Sequence, residues 1–372
     1  MEFFEHFTSN TLAGSGNQLT FATEPGQVRT SRIFYKITHG GSYRYSLLFS
    51  NMIDSTFADG SLCHKNHVCG SWRIHKASLG RLAGDIPENF KETLQAAPIN
   101  ARVTDLVPLS FGGHSEKPVA PGEFFASDPA VMTLDAGDYL CLEMSFSGQE
   151  IPYHEETLLP VFTKTADGWH YDNKMPFPGM IGCDRPVERR IGYLGDSITQ
   201  GIGPAWNSYL HWNALLAHRL GDTFAHWNLG LGYARADDMA SCGAWMYKAR
   251  HNDLAIVCYG VNDLGRGFTA AEIMKNLETI VDTLNDAGIT VILQTIPPFD
   301  YAGEVLTAWH AVNDYIQGTL GKKVAMIFDT VPVLGDPQIP QRAIYGCHPN
   351  EEGSAKWAEA LYEAIQKSGI LS

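Results

Sequence analysis

Residues 191–203 read IGYLGDSITQGIG, and this segment decides the fold predicted for the second half of the chain. The apolar run Ile191–Leu194 is typical of a short buried strand. The triplet Gly195–Ser197 follows it directly, and two more glycines precede a helical pattern. A serine at the carboxyl end of a strand can present both its hydroxyl and its own N–H to a substrate. A polar strand-to-helix turn, with Ser197 or Thr199 as a cap, is the more common explanation of the triplet alone.

The alternation of strand and helix continues from this segment to the end of the chain. The best helical pattern, 270–287, begins with a capping box at Thr269 and Glu272 and stops at Gly288. Five successive strand–helix units predict a parallel sheet with helices on both faces. Chemistry in such a sheet is expected at the carboxyl ends of the strands. Further strands are predicted at 223–229, 254–259, 289–295 and 324–328, and a last helix at about 350–367.

The first half of the chain has a different pattern, with short alternating segments, Gly-Gly turns and few sustained helical periods. Short strands at regular spacing between turns predict a β-sandwich. We therefore predict two domains, a β-sandwich domain over 1–187 and an α/β domain over 188–372. The clearest strands of the sandwich are predicted at 43–49, 71–75, 102–107 and 138–146.

Three more motifs follow later strands of the α/β half. Asn228–Gly232 ends the second predicted strand, and its glycines let the backbone approach a ligand and expose an N–H. Asn262 follows the third strand, and its amide can donate to a developing oxyanion. His348 precedes the last helix and can serve as a general base. Each motif alone also reads as a turn or loop, but the order Ser, Gly, Asn, His along successive strand ends predicts a single site.

This order resembles the SGNH (GDSL) hydrolase superfamily over about residues 190–368. The resemblance implies a flavodoxin-like α/β fold with a five-stranded parallel sheet. A jelly-roll-like all-β sandwich would precede it, as in two-domain carbohydrate esterases. The resemblance also implies an esterase or lipase in which Ser197 is the nucleophile and His348 the base. The N–H of Ser197, the N–H of Gly232 and the side chain of Asn262 would then form the oxyanion hole.

Two features of the sequence leave alternatives open for the residues of the site. Gly230 lies two residues from Gly232, so the register of the second motif is undecided. The superfamily usually carries Asp three residues before the histidine, where this chain has Tyr345. Loss of that acid in the serine-protease template costs roughly 10⁴-fold in turnover. We favour a Ser-His dyad whose imidazole is oriented by a backbone carbonyl. A carboxylate such as Asp336, or an impaired enzyme, is the alternative.

The predicted reaction is hydrolysis of a small acyl ester through an acyl-serine intermediate, without metal or organic cofactor. Acetyl esters of carbohydrates are the leading substrates, by analogy with two-domain members. Hydrolysis of lysophospholipids or thioesters is one alternative. The other is a non-catalytic glycan-binding protein on a decayed hydrolase scaffold, which the Tyr345 substitution favours and the retained Ser197 and His348 oppose.

Two further groups of residues have both a structural and a functional interpretation. The segment Cys63–Cys69 reads CHKNHVC, but structural zinc sites prefer cysteines two to four residues apart, so a metal site is not predicted. Trp206, Trp212 and Trp245 follow the proposed active-site motifs closely. They can line a sugar or acyl pocket or pack in the core of the helices.

The charge balance limits the partners. The chain has 27 Lys and Arg against 41 Asp and Glu, a net charge of −14, which disfavours nucleic acid as a partner. No apolar run is long enough to span a bilayer, and the N-terminus lacks a signal-peptide pattern. Seven scattered cysteines suit free thiols. We expect a cytoplasmic protein without membrane insertion that acts on a small-molecule ester. The sequence does not indicate an oligomeric state.

Overall fold

The computed structural model describes residues 2–58, 60 and 63–371, and the chain divides into the units Met1–Pro186 and Val187–Ser372. Within the part of the chain that is described, no helix has the length and apolar character needed to cross a membrane. Each unit has its own secondary structure and core.

Antiparallel strands dominate the N-terminal unit, which also contains the helices α1 (Phe3–His6) and α2 (Thr93–Ala101). The strands are β1 (Thr8–Ser9), β2 (Leu19–Phe21), β3 (Arg29–Lys36), β4 (Gly41–Ser50), β5 (Trp72–Leu82), β6 (Thr104–Leu109), β7 (Lys117–Val119), β8 (Phe124–Ala126), β9 (Ala130–Leu134), β10 (Tyr139–Gly148), β11 (Ile151–Tyr153), β12 (Val161–Thr165), β13 (Gly168–Tyr171) and β14 (Met180–Cys183).

These strands form two main sheets and one separate pair. The larger sheet has the order β13-β12-β3-β10-β5-β6, with β7 also on β5, and the smaller has the order β1-β14-β4-β8, with β9 also on β4. The pair is β11-β2. Trp72 of the larger sheet and Phe125 of the smaller sheet are in contact, with ring centroids 6.2 Å apart. The predicted all-β character is confirmed, and side chains of the two main sheets pack together as in a sandwich.

Helix α2 is an element of this unit that the sequence does not predict. The side chain of its N-cap residue, Glu92, accepts no N–H of the helix, and Pro98 lies inside the helix, so the usual helix signals are absent. The helix is held by tertiary packing, because Ala96 and Ile99 join a buried cluster with Phe34 and Tyr139 of the larger sheet.

The C-terminal unit alternates strands and helices as predicted. Its strands are β15 (Arg189–Gly195), β16 (Phe224–Gly230), β17 (Leu254–Cys258), β18 (Thr290–Gln294) and β19 (Met326–Phe328). Its helices are α3 (Ser197–Gln200), α4 (Trp212–Leu220), α5 (Ala236–Ala240), α6 (Ala244–Ala249), α7 (Val261–Gly265), α8 (Ala270–Asp286), α9 (Gly303–Gly318), α10 (Val331–Leu334) and α11 (Glu351–Ser368), with a short 3₁₀ turn at Leu320–Lys322.

The five strands form a parallel sheet in the order β16-β15-β17-β18-β19. This is the flavodoxin-like order, and it confirms the fold prediction. Every residue of β16 and β17 is buried, as expected for a sheet covered on both faces. Strand pairing aligns Gly195 with both Gly230 and Cys258, so three strands end side by side at the carboxyl edge.

Helices cover this sheet through apolar stripes and one aromatic stack. In α8 the predicted capping box of Thr269 and Glu272 is present. Trp212 of α4 and Trp357 of α11 stack with ring centroids 4.9 Å apart and ring planes 10° apart. The indole N–H of Trp357 donates to Oε1 of Gln294 in β18 at 2.8 Å, which satisfies its polar atom inside the core.

We expect the Trp357→Ala substitution to lower the free energy of unfolding of the C-terminal unit by about 3–5 kcal/mol, because it leaves a large cavity and an unpaired Gln294 amide. Urea denaturation followed by circular dichroism measures the change. Trp206→Ala is the matched control, since Trp206 is 39% exposed and its loss should cost less than about 1 kcal/mol. Equal, small effects of both substitutions would contradict this packing account.

Candidate active site

Ser197 lies where the first strand of the parallel sheet turns into a helix. Strand β15 ends at Gly195, and Asp196 caps α3 by accepting the N–H of Ile198 on Oδ1 at 2.9 Å. Ser197 is therefore the first residue of the helix, where a backbone N–H has no partner within the helix. Its side chain is at the carboxyl edge of the sheet, and the residue is only 8% exposed.

His348 reaches Ser197 from a loop near the end of the chain. Its Nε2 lies 2.8 Å from Oγ of Ser197, although the two residues are 151 positions apart. The loop runs directly into α11, whose N-cap Asn350 accepts the N–H of Gly353 at 2.9 Å. Burial lowers the pKa of His348 below its ordinary value. A neutral imidazole in hydrogen-bond contact with a serine hydroxyl can accept that proton.

Gly203 lets the loop after Ser197 pack closely against the backbone that carries His348. It has φ +129°, and a Cβ at this position would lie 2.2 Å from the carbonyl oxygen of Pro349. No side chain fits in that space, so glycine is required for the two loops to approach.

The structure distinguishes the roles of the two glycines at the end of the second strand. A Cβ on Gly230 would lie 2.2 Å from the backbone nitrogen of Gln200, so Gly230 permits α3 to pack against β16. Gly232 follows the strand, and its N–H donates to Oε1 of Gln200 at 2.6 Å. The N–H expected to bind an oxyanion is thus engaged by a side chain, and Gln200 must move aside for that N–H to take part.

Asn262 and Asp263 connect the loops that follow the second and third strands. Nδ2 of Asn262 donates to the carbonyl of Ala234 at 3.0 Å, which uses one of its two N–H groups. Asp263 accepts the N–H of Ala236 at 2.9 Å and so holds the start of α5. Burial raises the pKa of Asp263 to about 7. Asp263 therefore organises the loop, and the amide of Asn262 retains a donor for a ligand.

The second ring nitrogen of His348, Nδ1, is the atom that an orienting acid would bind. Across residues 2–58, 60 and 63–371, no protein atom forms a hydrogen bond with its Nδ1. Tyr345, at the position of the usual acid, packs on Gly353 of α11, and its hydroxyl accepts a hydrogen bond from Lys356. Asp336 accepts the N–H of Gln338 at 2.8 Å, within its own turn. Neither the expected backbone carbonyl nor Asp336 contacts the imidazole.

The other side chains considered from sequence have structural surroundings. Trp212 is 1% and Trp245 is 2% exposed, so both belong to the core, whereas Trp206 is 39% exposed. Cys63 and Cys69 are both buried, and neither forms a disulfide. Over the described ranges, no group of three or more His, Cys, Asp or Glu side chains is arranged to hold a metal ion.

Sequence reasoning missed three residues that the structure brings to this site. Gln200 engages Gly232, and its position one helical turn after Ser197 was an available signal. Phe299 packs its ring against His348 with centroids 5.8 Å apart, and Asp300 contacts Cys347, the residue before the histidine. Phe299 and Asp300 follow β18, the fourth strand, at whose end no candidate was predicted.

The chain is similar to known proteins over its C-terminal half. Residues 193–356 match the model of the GDSL-like Lipase/Acylhydrolase family. A search of curated proteins found no match.

Solved structures similar to the chain include the following three. TesA is 22% identical, with TM-score 0.40, over 48% of this chain and 99% of that chain. A member of the lipolytic protein G-D-S-L family from Veillonella parvula DSM 2008 is 17% identical, with TM-score 0.39, over 48% and 98%. A carbohydrate esterase family 3 protein from Talaromyces cellulolyticus is 18% identical, with TM-score 0.38, over 49% and 99%. The family match alone identifies a GDSL-like lipase/acylhydrolase domain at residues 193–356, within the C-terminal unit.

Proposed function

We propose that the C-terminal unit is a serine ester hydrolase that cleaves a small acyl ester through an acyl-serine intermediate. The observation that carries the proposal is the 2.8 Å contact between Oγ of Ser197 and Nε2 of His348 at the carboxyl edge of the parallel sheet. A nucleophile in hydrogen-bond contact with a base is the arrangement that acyl transfer requires. The family match over 193–356 supports acylhydrolase chemistry.

The reaction follows from these positions. Ser197 attacks the acyl carbon while His348 takes the hydroxyl proton, and the protonated imidazole then gives it to the leaving alcohol. Water activated by His348 hydrolyses the acyl-enzyme. The negative charge that develops on the acyl oxygen is stabilised by the N–H of Ser197 and the free N–H of Asn262. The N–H of Gly232 joins them when Gln200 releases it.

Limited access to the nucleophile favours a small acyl group. Ser197 is 8% exposed, so an acetyl carbon reaches it with less rearrangement than a long chain. We propose an acetylated carbohydrate as the first substrate class to examine, since a sugar ester offers a small acyl group on a polar alcohol. The partner is a small molecule, and nucleic acid is disfavoured by the net charge of −14.

We expect the native protein to hydrolyse p-nitrophenyl esters, with turnover highest for acetyl in a series up to dodecanoyl. Ser197→Ala should lower turnover by at least about 10³-fold, because it removes the nucleophile but not the oxyanion donors. The measurement is the release of p-nitrophenolate by the two proteins side by side.

Ser368→Ala is the control, because Ser368 is exposed at the end of α11 and should leave turnover unchanged. A maximum at long acyl chains would shift the substrate to lipids or thioesters. The absence of Ser197-dependent turnover at every chain length would contradict the proposal and favour a non-catalytic scaffold.

The pH dependence of turnover should report the buried imidazole. Burial disfavours the charged form of His348 and lowers its pKa, so the base stays neutral down to a lower pH than in a free histidine. We expect kcat/KM for p-nitrophenyl acetate to be constant near neutral pH. It should fall as the pH drops through a midpoint below the ordinary value of about 6.5. A midpoint clearly above that value would show that the imidazolium is stabilised, contrary to this account.

A further inference from the structure

The loop between β18 and α9 holds a carboxylate that the proposed reaction does not use. Asp300 contacts the segment leading to His348 at three points. Its N–H donates to the carbonyl of Gln341 at 2.9 Å, and its Oδ1 accepts the N–H of Ala343 at 2.9 Å. Its Oδ2 lies 3.7 Å from Sγ of Cys347, the residue directly before the histidine.

The neighbouring residue acts on the imidazole itself. Phe299 meets the ring of His348 nearly edge-on, with centroids 5.8 Å apart and an interplanar angle of 77°. This contact restricts movement of the ring away from Ser197. Two consecutive residues of one loop therefore support the histidine, Phe299 at the ring and Asp300 at the backbone before it.

The backbone of Asp300 is held in a conformation that most residues avoid. Its φ is +55°, in the left-handed region that Asp and Asn tolerate better than other non-glycine residues. Such conformations persist where the surrounding structure enforces them, and they concentrate at functional sites. Here the enforcing contacts are the hydrogen bonds with Gln341 and Ala343.

We propose that Asp300 is the positioning residue that keeps His348 in line with Ser197, in place of the acid that position 345 lacks. The inference rests on the proposed function, because it assigns a role within that reaction. Asp300 acts through the backbone of residues 341–347 and makes no contact with the imidazole. It therefore exchanges no proton with His348, and its carboxylate serves as an acceptor for the loop.

Two substitutions at this position separate the carboxylate from the backbone. Asp300→Gly keeps the left-handed conformation available and removes the acceptor. Asp300→Asn keeps an oxygen for the N–H of Ala343 and also tolerates the conformation. Asp314→Ala is the matched control, because Asp314 is an exposed carboxylate on α9 with no hydrogen bond or ion pair among the described residues.

We expect Asp300→Gly to lower kcat for p-nitrophenyl acetate by about 10²-fold with little change in KM, because a misplaced base slows the chemical step more than binding. Asp300→Asn should recover most of the loss, and Asp314→Ala should behave as the native protein. Native kcat in Asp300→Gly would overturn the proposal, as would equal losses in Asp300→Gly and Asp314→Ala.

The same substitution in a His348→Ala background separates positioning from a general structural role. If Asp300 acts only through the histidine, adding Asp300→Gly to His348→Ala should change the residual turnover by less than about twofold. The same fold-loss in both backgrounds would show that Asp300 supports the structure in general, and would overturn the proposal.

A readout without substrate distinguishes failure of this inference from failure of the proposed function. The ring nitrogens of His348 can be followed by ¹⁵N NMR, with the resonance assigned by His348→Ala. In the native protein, Ser197→Ala should shift the Nε2 resonance, because it removes the hydrogen bond. Asp300→Gly should abolish that dependence on Ser197, and Asp300→Asn should retain it. A dependence that survives Asp300→Gly would refute the positioning role, whether or not the protein hydrolyses esters.

Discussion

The parallel pairing of β15 with β16 and β17 is the constraint on which the rest of the site depends. This pairing aligns Gly195 with Gly230 and Cys258, so the loops carrying Ser197 and Asn262 leave the sheet at one edge. At that edge, α3 packs closely against β16 only because position 230 is a glycine. A Cβ there would lie 2.2 Å from the backbone nitrogen of Gln200. The sheet thereby fixes the positions of the nucleophile and of Asn262 independently of the loop that carries the histidine.

The histidine is supported differently from the nucleophile. No protein group in the described residues bonds to Nδ1 of His348, and Tyr345 is directed toward Lys356 of α11. The imidazole is held by the packing around its loop. The backbone of Pro349 lies directly against Gly203, and the ring of Phe299 packs against the imidazole. In a catalytic triad, a buried carboxylate orients the imidazole. In this serine–histidine pair, the orientation of the imidazole depends on the packing of its loop.

The sequence predicts the fold because strand, turn and helix patterns are local. It predicts the reacting pair because the motifs with Ser197 and His348 follow a recognisable order along the chain. The strand–turn–helix at 191–203 and the capping box at Thr269 are read from neighbouring residues. The separate roles of Gly230 and Gly232 could not be read this way, because they depend on which backbone lies against each glycine. Asp300 was missed for the same reason. Its partners at 341–347 lie far from it along the sequence, and the pairing of β18 with β19 brings the segments that follow these strands close together.

The central claim is that Ser197 is a nucleophile activated by His348, and covalent labelling tests it most directly. The measurement is the rate at which an organophosphonate forms an adduct, followed by intact-protein and peptide mass spectrometry. The account predicts one adduct, on the peptide that contains Ser197, formed much more slowly in His348→Ala and absent in Ser197→Ala. Labelling of another residue, no labelling, or an equal rate in His348→Ala would contradict it.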